Sequence, residues 1–260
     1  MRECKVSGRG PRALLSLAGD HHPTNLLVVG ANDGDFHRSQ CDDTARVVIR
    51  LLLQKAWVSA SFVEPNPAVF SQLRKNVLKA EDGQRHRAIN AAICQNTSSV
   101  VPLYVVSEEY SRELPRAPRW ARTEINSMVR DNVLRGLRHA RYHLNISDLP
   151  RYVKEVPVQC LTPEDLVQHA KFTMADVRVL IVDVEGLDVS VVQAFMRSPG
   201  FQADAIVFES KVVRSDAATR GAFKRLRRAI VQRGYSTDEL FPNFYAWNRS
   251  RVPCGRCLQR

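Results

Sequence analysis

Residues 26–34 read Leu-Leu-Val-Val-Gly-Ala-Asn-Asp-Gly, and no other stretch constrains the fold as tightly. The apolar, partly β-branched run has the composition of a buried strand, and the small and polar residues after it break it into a tight turn. A strand buried on both faces belongs to a sheet covered by helices on both sides, and the glycines let a ligand approach the turn's backbone. A second apolar run, Val58 to Val63, ends on an acid, Glu64, before Pro65-Asn66-Pro67 opens a helical segment. Strand, glycine turn, helix, strand and acid is the layout of a nucleotide-binding βαβ unit, in which the acid accepts ribose hydroxyls. The dinucleotide fingerprint G-x-G-x-x-G is not met, because Asn32 stands where the second glycine belongs. A pyrophosphate needs that close backbone approach, so the pattern favours an adenosine ligand without one and opposes an NAD-dependent dehydrogenase.

The rest of the chain alternates in the same way. Strand character recurs at 86–93, 100–106, 152–160, 177–182 and 205–208, and helical periodicity at 45–56, 67–80 and 216–233. Asp42, Asp43 or Thr44 can cap the first of these helices. With 260 residues, 44% of them hydrophobic, the expectation is one α/β domain over residues 25–250. It is flanked by an N-terminal arm or short capping helix, 1–24, and a flexible tail, 251–260. Periodicity fails over 107–149, a basic stretch that includes Arg135 and Arg138 beside Tyr110, Trp120 and Tyr142. A connection of that length inside an α/β domain is usually functional, and it reads as a lid over the substrate. Arginines beside aromatic rings suit sugars and nucleic acids alike.

Val177–Val182 runs into Asp183-Val184-Glu185-Gly186. Strand alternation points Asp183 and Glu185 the same way, beyond the carboxyl edge where open α/β sheets bind ligands. Two carboxylates there need a partner, which can be a substrate hydroxyl, an ammonium group, a metal or an arginine. No metal ligands are assigned, and the lone Cys254-Gly255-Arg256-Cys257 in the tail has no second pair to complete a zinc site.

The net charge of +11 suits an anionic partner, though excess arginine is also simply solubilising. No apolar run approaches the ~18 residues of a membrane span, and Met1–Gly19 has no sustained apolar core of a leader. Six scattered cysteines do not form a disulfide pattern and favour a reducing compartment, so the expected location is cytoplasmic.

Four segments resemble, in order, the motifs of the FkbM family of S-adenosylmethionine-dependent methyltransferases. They are Gly-Ala-Asn-Asp-Gly (30–34), Val-Glu-Pro-Asn-Pro (63–67), Asp-Val-Glu-Gly-Leu-Asp (183–188) and Ile-Val-Phe-Glu (206–209). The resemblance spans roughly residues 25–248. It implies a Rossmann-like class I methyltransferase fold, with a mostly parallel sheet, helices on both faces and a C-terminal antiparallel hairpin formed here by Tyr235 onward and Asn243–Trp247. It also implies S-adenosylmethionine held by Gly30, Ala31, Asn32, Asp33, Gly34, Glu64, Pro65, Asn66, Ala91, Ala92 and Asp183, the two alanines lying beside adenine. The implied reaction is O-methylation of a hydroxyl on a sugar, glycan or secondary metabolite, with Asp183 as base and Glu185 assisting. In Glu124-Ile125-Asn126-Ser127, Ser127 is a candidate contact. The chain departs from the family at Val28, where many members carry an acid, and at Ile181, where many carry lysine. Both departures bear on cofactor affinity. The alternative reading is a non-catalytic protein of the same fold that binds nucleic acid or anionic glycan through its basic insertion.

Overall fold

The structure is a computed structural model, and it describes residues 7–17, 23–36, 44–78, 85–95, 98–140, 148–210 and 217–252. Its centre is a seven-stranded sheet of β1 (Thr24–Val29), β2 (Val58–Val63), β3 (His86–Ile89), β7 (Val177–Val182), β8 (Ala205–Glu209), β9 (Tyr235–Leu240) and β10 (Asn243–Asn248), ordered β3-β2-β1-β7-β8-β10-β9. Only β10 runs antiparallel to its neighbours, so the hairpin expected at the C-terminus closes the sheet. Alternation along the central strands explains why the apolar runs are continuous. Leu26 and Val28 of β1 enter one core, Leu27 and Val29 the other, and Val179/Ile181 and Leu180/Val182 of β7 divide in the same way.

Helices α1 (Arg9–Leu17), α2 (Thr44–Leu53) and α3 (Pro67–Val77) cover the first face through Leu14, Val48 and Leu73. Helices α7 (Pro163–His169), α8 (Asp188–Arg197) and α9 (Ala217–Gln232) cover the second through Leu166, Phe195 and Leu226. Within the segment read as an arm, α1 is docked. The Asp238 carboxylate accepts from the Arg9 and Gly10 backbone amides at 2.8 and 3.0 Å, satisfying donors at the helix start. A side chain on Gly10 would lie 2.3 Å from Tyr245 Cβ, so the close packing of α1 on β10 depends on glycine there. At the other end Arg251 donates to Gln202 and Val252 is buried, so these first two residues of the expected tail are packed against the domain. The Cys254/Cys257 pair, and Asp42 and Asp43, lie outside the described residues.

Two expectations are corrected by the region after β3. The strand read as 86–93 is two strands in different sheets: β3 pairs with β2, and β4 (Ala92–Ile93) pairs with β6 (Val153–Leu161) in a second sheet ordered β4-β6-β5, where β5 is Ser99–Val106. The chain leaves the main sheet at Asn90, whose side-chain amide donates to the carbonyls of Glu64 and Pro65 at 2.8 and 3.0 Å. An apolar run carries no record of that change of partner. The cysteines are not all free thiols either, since Cys94 and Cys160 form a disulfide between the ends of β4 and β6. They are 66 residues apart in sequence, and only the pairing Ala92↔Cys160 brings their Cα atoms to 5.4 Å, within bonding reach.

The basic insertion is helical: α4 (Glu108–Glu113), α5 (Trp120–Thr123) and α6 (Arg130–Ala140) gather Tyr110, Ala121, Ile125, Val133 and Leu137 into a small core of their own. Residues 141–147 lie outside the described residues.

Candidate active site

The carboxyl ends of β1, β2 and β7 converge on the glycine turn. Gly30 and Ala31 donate to the Val63 carbonyl, each at 2.9 Å, and the Asp183 amide donates to the Val29 carbonyl at 2.9 Å. Gly30 has φ 81°, and a Cβ there would fall 1.7 Å from the carbonyl oxygen of Asp183, so only glycine admits this contact. Asn32 follows with φ 52°, a left-handed conformation asparagine tolerates better than most residues. This geometry directs the Asn32 amide onto the Glu64 carboxylate at 3.1 Å, while the Asn66 amide donates to its other oxygen at 2.9 Å. Glu64 is thereby fixed at the strand end with lone pairs to spare on both oxygens. Burial pushes its pKa up to about 7, against the lowering effect of the Asn66 and Asn32 amides.

Two cavities meet here. The narrower is lined by Gly30, Asn32, Glu64, Pro65, Ala91, Ala92, Asp183 and Glu185, and is walled on the far side by residues of the insertion, Thr123, Glu124, Asn126, Ser127 and Met128. The wider, of about 470 Å³, lies between Val28, Ala31, Phe36, Ile49 and Ile181 below and Trp120, Ile125, Arg135 and His139 above. Gly30, Arg46, Glu124, Asp183 and Glu185 border both. Arg46 and Glu124 form an ion pair across this border at 3.8 Å. The two departures from the family, Val28 and Ile181, are register partners on β1 and β7 and almost fully buried. They form one apolar patch in the floor of the wider cavity, and each removes the need for a charge on the other.

The acids gather at the junction. Carboxylate oxygens of Asp183, Glu185 and Glu209 all lie within 4.8 Å of one another, a spacing a divalent cation can bridge. Asp183 is exposed to the cavity, whereas Glu185 is largely covered. Burial, with Asp183 and Glu209 nearby, pushes the Glu185 carboxyl well above the usual range, so it holds its proton at neutral pH. Glu185 has φ 51°, and its carbonyl accepts from Asn132 Nδ2 at 2.9 Å and from the Ser127 hydroxyl at 3.4 Å. Asp188, wholly buried, accepts from the Val184 and Gly186 amides at 3.2 and 3.1 Å and closes the turn from beneath.

Three of the residues expected to touch the cofactor, Asp33, Gly34 and Asn66, do not line either cavity. Asp33 turns outward to pair with Arg119 at 2.6 Å, tying the turn to the insertion. Gly34, φ 68°, packs against Leu73 and Val77 of α3. Asn66 caps α3, accepting from the Ala68 amide at 3.1 Å. Of the two lid arginines, Arg135 borders the wider cavity and hydrogen-bonds Asn132, while Arg138 does not border either cavity. Asp188, Asn90, Asn126 and Asn132 were not read from the sequence as site residues. They act through backbone groups or buried polar atoms, which hydrophobic periodicity does not report.

The sequence model of the methyltransferase FkbM domain matches residues 29–237. The chain belongs to the FkbM methyltransferase family. S-adenosylmethionine is that family's methyl donor, and the α/β fold with its mostly parallel sheet is the one the resemblance implied. No curated protein matches the sequence at a significant level. Among solved structures the FkbM chain is similar to a protein from Corynebacterium glutamicum, at 10% identity and TM-score 0.44, covering 94% of this chain and 82% of that one. It is similar to an O-methyltransferase from Bacillus cereus in complex with SAH, at 8% identity and TM-score 0.41, with the same coverage. A fibrillarin from Aeropyrum pernix with natively bound S-adenosyl-L-methionine follows at 11% identity and TM-score 0.33, covering 86% and 66%. No helix among the described residues is long and apolar enough to cross a membrane.

Proposed function

We propose that the protein transfers the methyl group of S-adenosylmethionine to a hydroxyl group of a small molecule, sugar or glycan. The observation that carries this reading is the junction of the two cavities, where Asp183 and Glu185 face both. The narrower cavity offers each part of the cofactor a matching wall: Glu64 for the ribose hydroxyls, the small Ala91 and Ala92 for the adenine ring, and the Gly30 turn with Asp183 for the methionine end. The wider cavity then holds the acceptor within reach of the methyl group.

The transfer is an in-line displacement. The acceptor oxygen forms a bond to the methyl carbon as the carbon–sulfur bond breaks, its electron pair returning to sulfur, and the hydroxyl proton passes to a base. Asp183, exposed at the junction, is that base. Glu185, which keeps its proton, donates a hydrogen bond there, and Asn132 and Ser127 fix its backbone. The acceptor rests on the Val28/Ile181 floor and under Trp120.

The test is a panel of hydroxyl acceptors with methyl-labelled cofactor, run beside a salt-dependent RNA-binding assay. Asp183→Asn keeps shape and removes the base, so turnover at saturating cofactor should fall roughly 10²- to 10⁴-fold, a larger loss than the one in cofactor affinity that follows from removing a charge beside the methionine end. Absence of transfer to every acceptor, together with RNA affinity that falls steeply with salt, would establish the non-catalytic alternative instead.

A further inference from the structure

Asn126 sits on the insertion side of the narrower cavity, and its side chain is half used. The amide Nδ2 donates to the Thr123 carbonyl at 2.9 Å, which fixes the orientation of the group. Oδ1 is buried, and no donor among the described residues reaches it. A buried acceptor in that condition costs free energy unless a ligand supplies the proton.

Its neighbours indicate which part of a ligand would do so. Tyr104 and Ser127 exchange both backbone hydrogen bonds, at 2.9 and 3.1 Å, as a local antiparallel bridge. Alternation then sets Asn126 and Met128 on one side of this bridge, with Leu103 and Val105 of β5, and the Ser127 hydroxyl on the other, toward Glu185. Leu103, Val105 and Met128 pack with Ala92, so the wall around Asn126 is apolar and faces the small-residue wall of Ala91 and Ala92. That slot suits a flat ring, and Asn126 Oδ1 is the polar atom in it that still needs a donor.

We infer that Asn126 reads the exocyclic amino group of the cofactor's adenine, its Oδ1 accepting a hydrogen from that nitrogen. The inference rests on the cofactor placement proposed above. The donors of an adenosyl amino acid are the ribose hydroxyls, the ammonium group and the adenine amine. Glu64 meets the first at the end of β2 and the acids at the junction meet the second, leaving the amine for Asn126. The insertion therefore selects the base as well as covering it.

Calorimetry with S-adenosylhomocysteine and with S-inosylhomocysteine, which carries an oxygen in place of the amine, tests this. The intact protein should bind the inosyl compound at least about tenfold more weakly, because two acceptors then face one another. Asn126→Ala should weaken adenosyl binding roughly three- to tenfold, leave inosyl binding unchanged or better, and so erase most of the discrimination. Asn126→Asp keeps an acceptor in place and should restore the preference for the amine, which separates this role from a loss of folding. Equal weakening on both ligands in Asn126→Ala, or an unchanged preference, would overturn the inference while leaving the cofactor site standing. Failure of the intact protein to bind S-adenosylhomocysteine at all would instead refute the cofactor placement beneath it.

Discussion

The two walls of the narrower cavity are built on different principles. The wall at the edge of the main sheet is made of strand ends, and its parts hold one another chiefly through backbone contacts, Gly30 and Ala31 on Val63 and Asp183 on Val29, with the Asn32 and Asn66 amides fixing the Glu64 carboxylate. The wall from the insertion, braced on β5 by the Tyr104–Ser127 backbone pair, is tied to the sheet wall by side chains: Asn132 on the Glu185 carbonyl, Arg119 on Asp33 and Arg46 on Glu124, with the Cys94–Cys160 bond at its base. Backbone contacts between adjacent strands are set by register and change only if the sheet changes. Side-chain tethers can be lost one at a time. On the reading proposed above, the sheet wall is therefore suited to the constant part of the reaction, the cofactor and the catalytic base, and the inserted wall to whatever varies.

Gly30→Ala should do the most damage to the sheet wall. Its new methyl would occupy the space of the Asp183 carbonyl in a left-handed backbone, so a loss of roughly 4 kcal/mol or more is expected. Denaturant unfolding measures it, and a soluble variant with near-native stability would show that the two strand ends do not meet as described.

Reduction of Cys94–Cys160 addresses the inserted wall. Opening a 66-residue loop should cost up to about 4 kcal/mol by the chain-entropy estimate. Hydrogen exchange should place the lost protection in β5, β6 and α4 to α6, with β1 and β7 still protected. Equal loss throughout both sheets would abolish the distinction between the walls.

A smaller effect comes from Glu64. Its folded pKa is raised to about 7, so the apoprotein loses this group's contribution to stability as pH rises from the ordinary glutamate value near 4.5 toward 7. Under the proposed placement, cofactor binding needs the ionised carboxylate and runs the other way. Affinity for S-adenosylmethionine should climb about tenfold between pH 6 and pH 8, and Glu64→Gln should bind weakly with that rise removed. A flat profile in the intact protein would separate Glu64 from the ribose hydroxyls.

These differences also explain what could be read from the sequence. The apolar runs of β1, β2 and β7, the glycine turn and the acids at the strand ends are local patterns, and they locate the sheet wall to within a residue or two. Asp33 and Asn66 lie within those motifs yet do not line either cavity, their side chains meeting Arg119 and the Ala68 amide, because a motif gives the position of a residue and not the partner its side chain finds. Asn126, Asn132 and Asp188 have no periodicity to announce them, since each is set by the particular backbone groups its side chain meets, from the adjoining turn for Asn126 and Asp188 and from a distant segment for Asn132. The change of sheet at Asn90 and the pairing of Cys94 with Cys160 require knowing that β4 lies beside β6, a contact across more than sixty residues.

The disulfide also closes residues 94–160 into a ring whose two ends lie side by side in the second sheet, with Cα atoms 5.4 Å apart. A segment that departs and returns at a single point is a cassette: it can be exchanged between proteins without threading a new path through the core. Ala91, Glu64, Gly30 and Asp183 all lie outside the ring, whereas Asn126, Asn132, Trp120 and Arg135 lie within it. On the reading proposed above, grafting a relative's segment between Cys94 and Cys160 would exchange the residues placed against adenine and acceptor and leave Glu64, Gly30 and Asp183 where they are, so that a new substrate could be acquired by recombination at one neck.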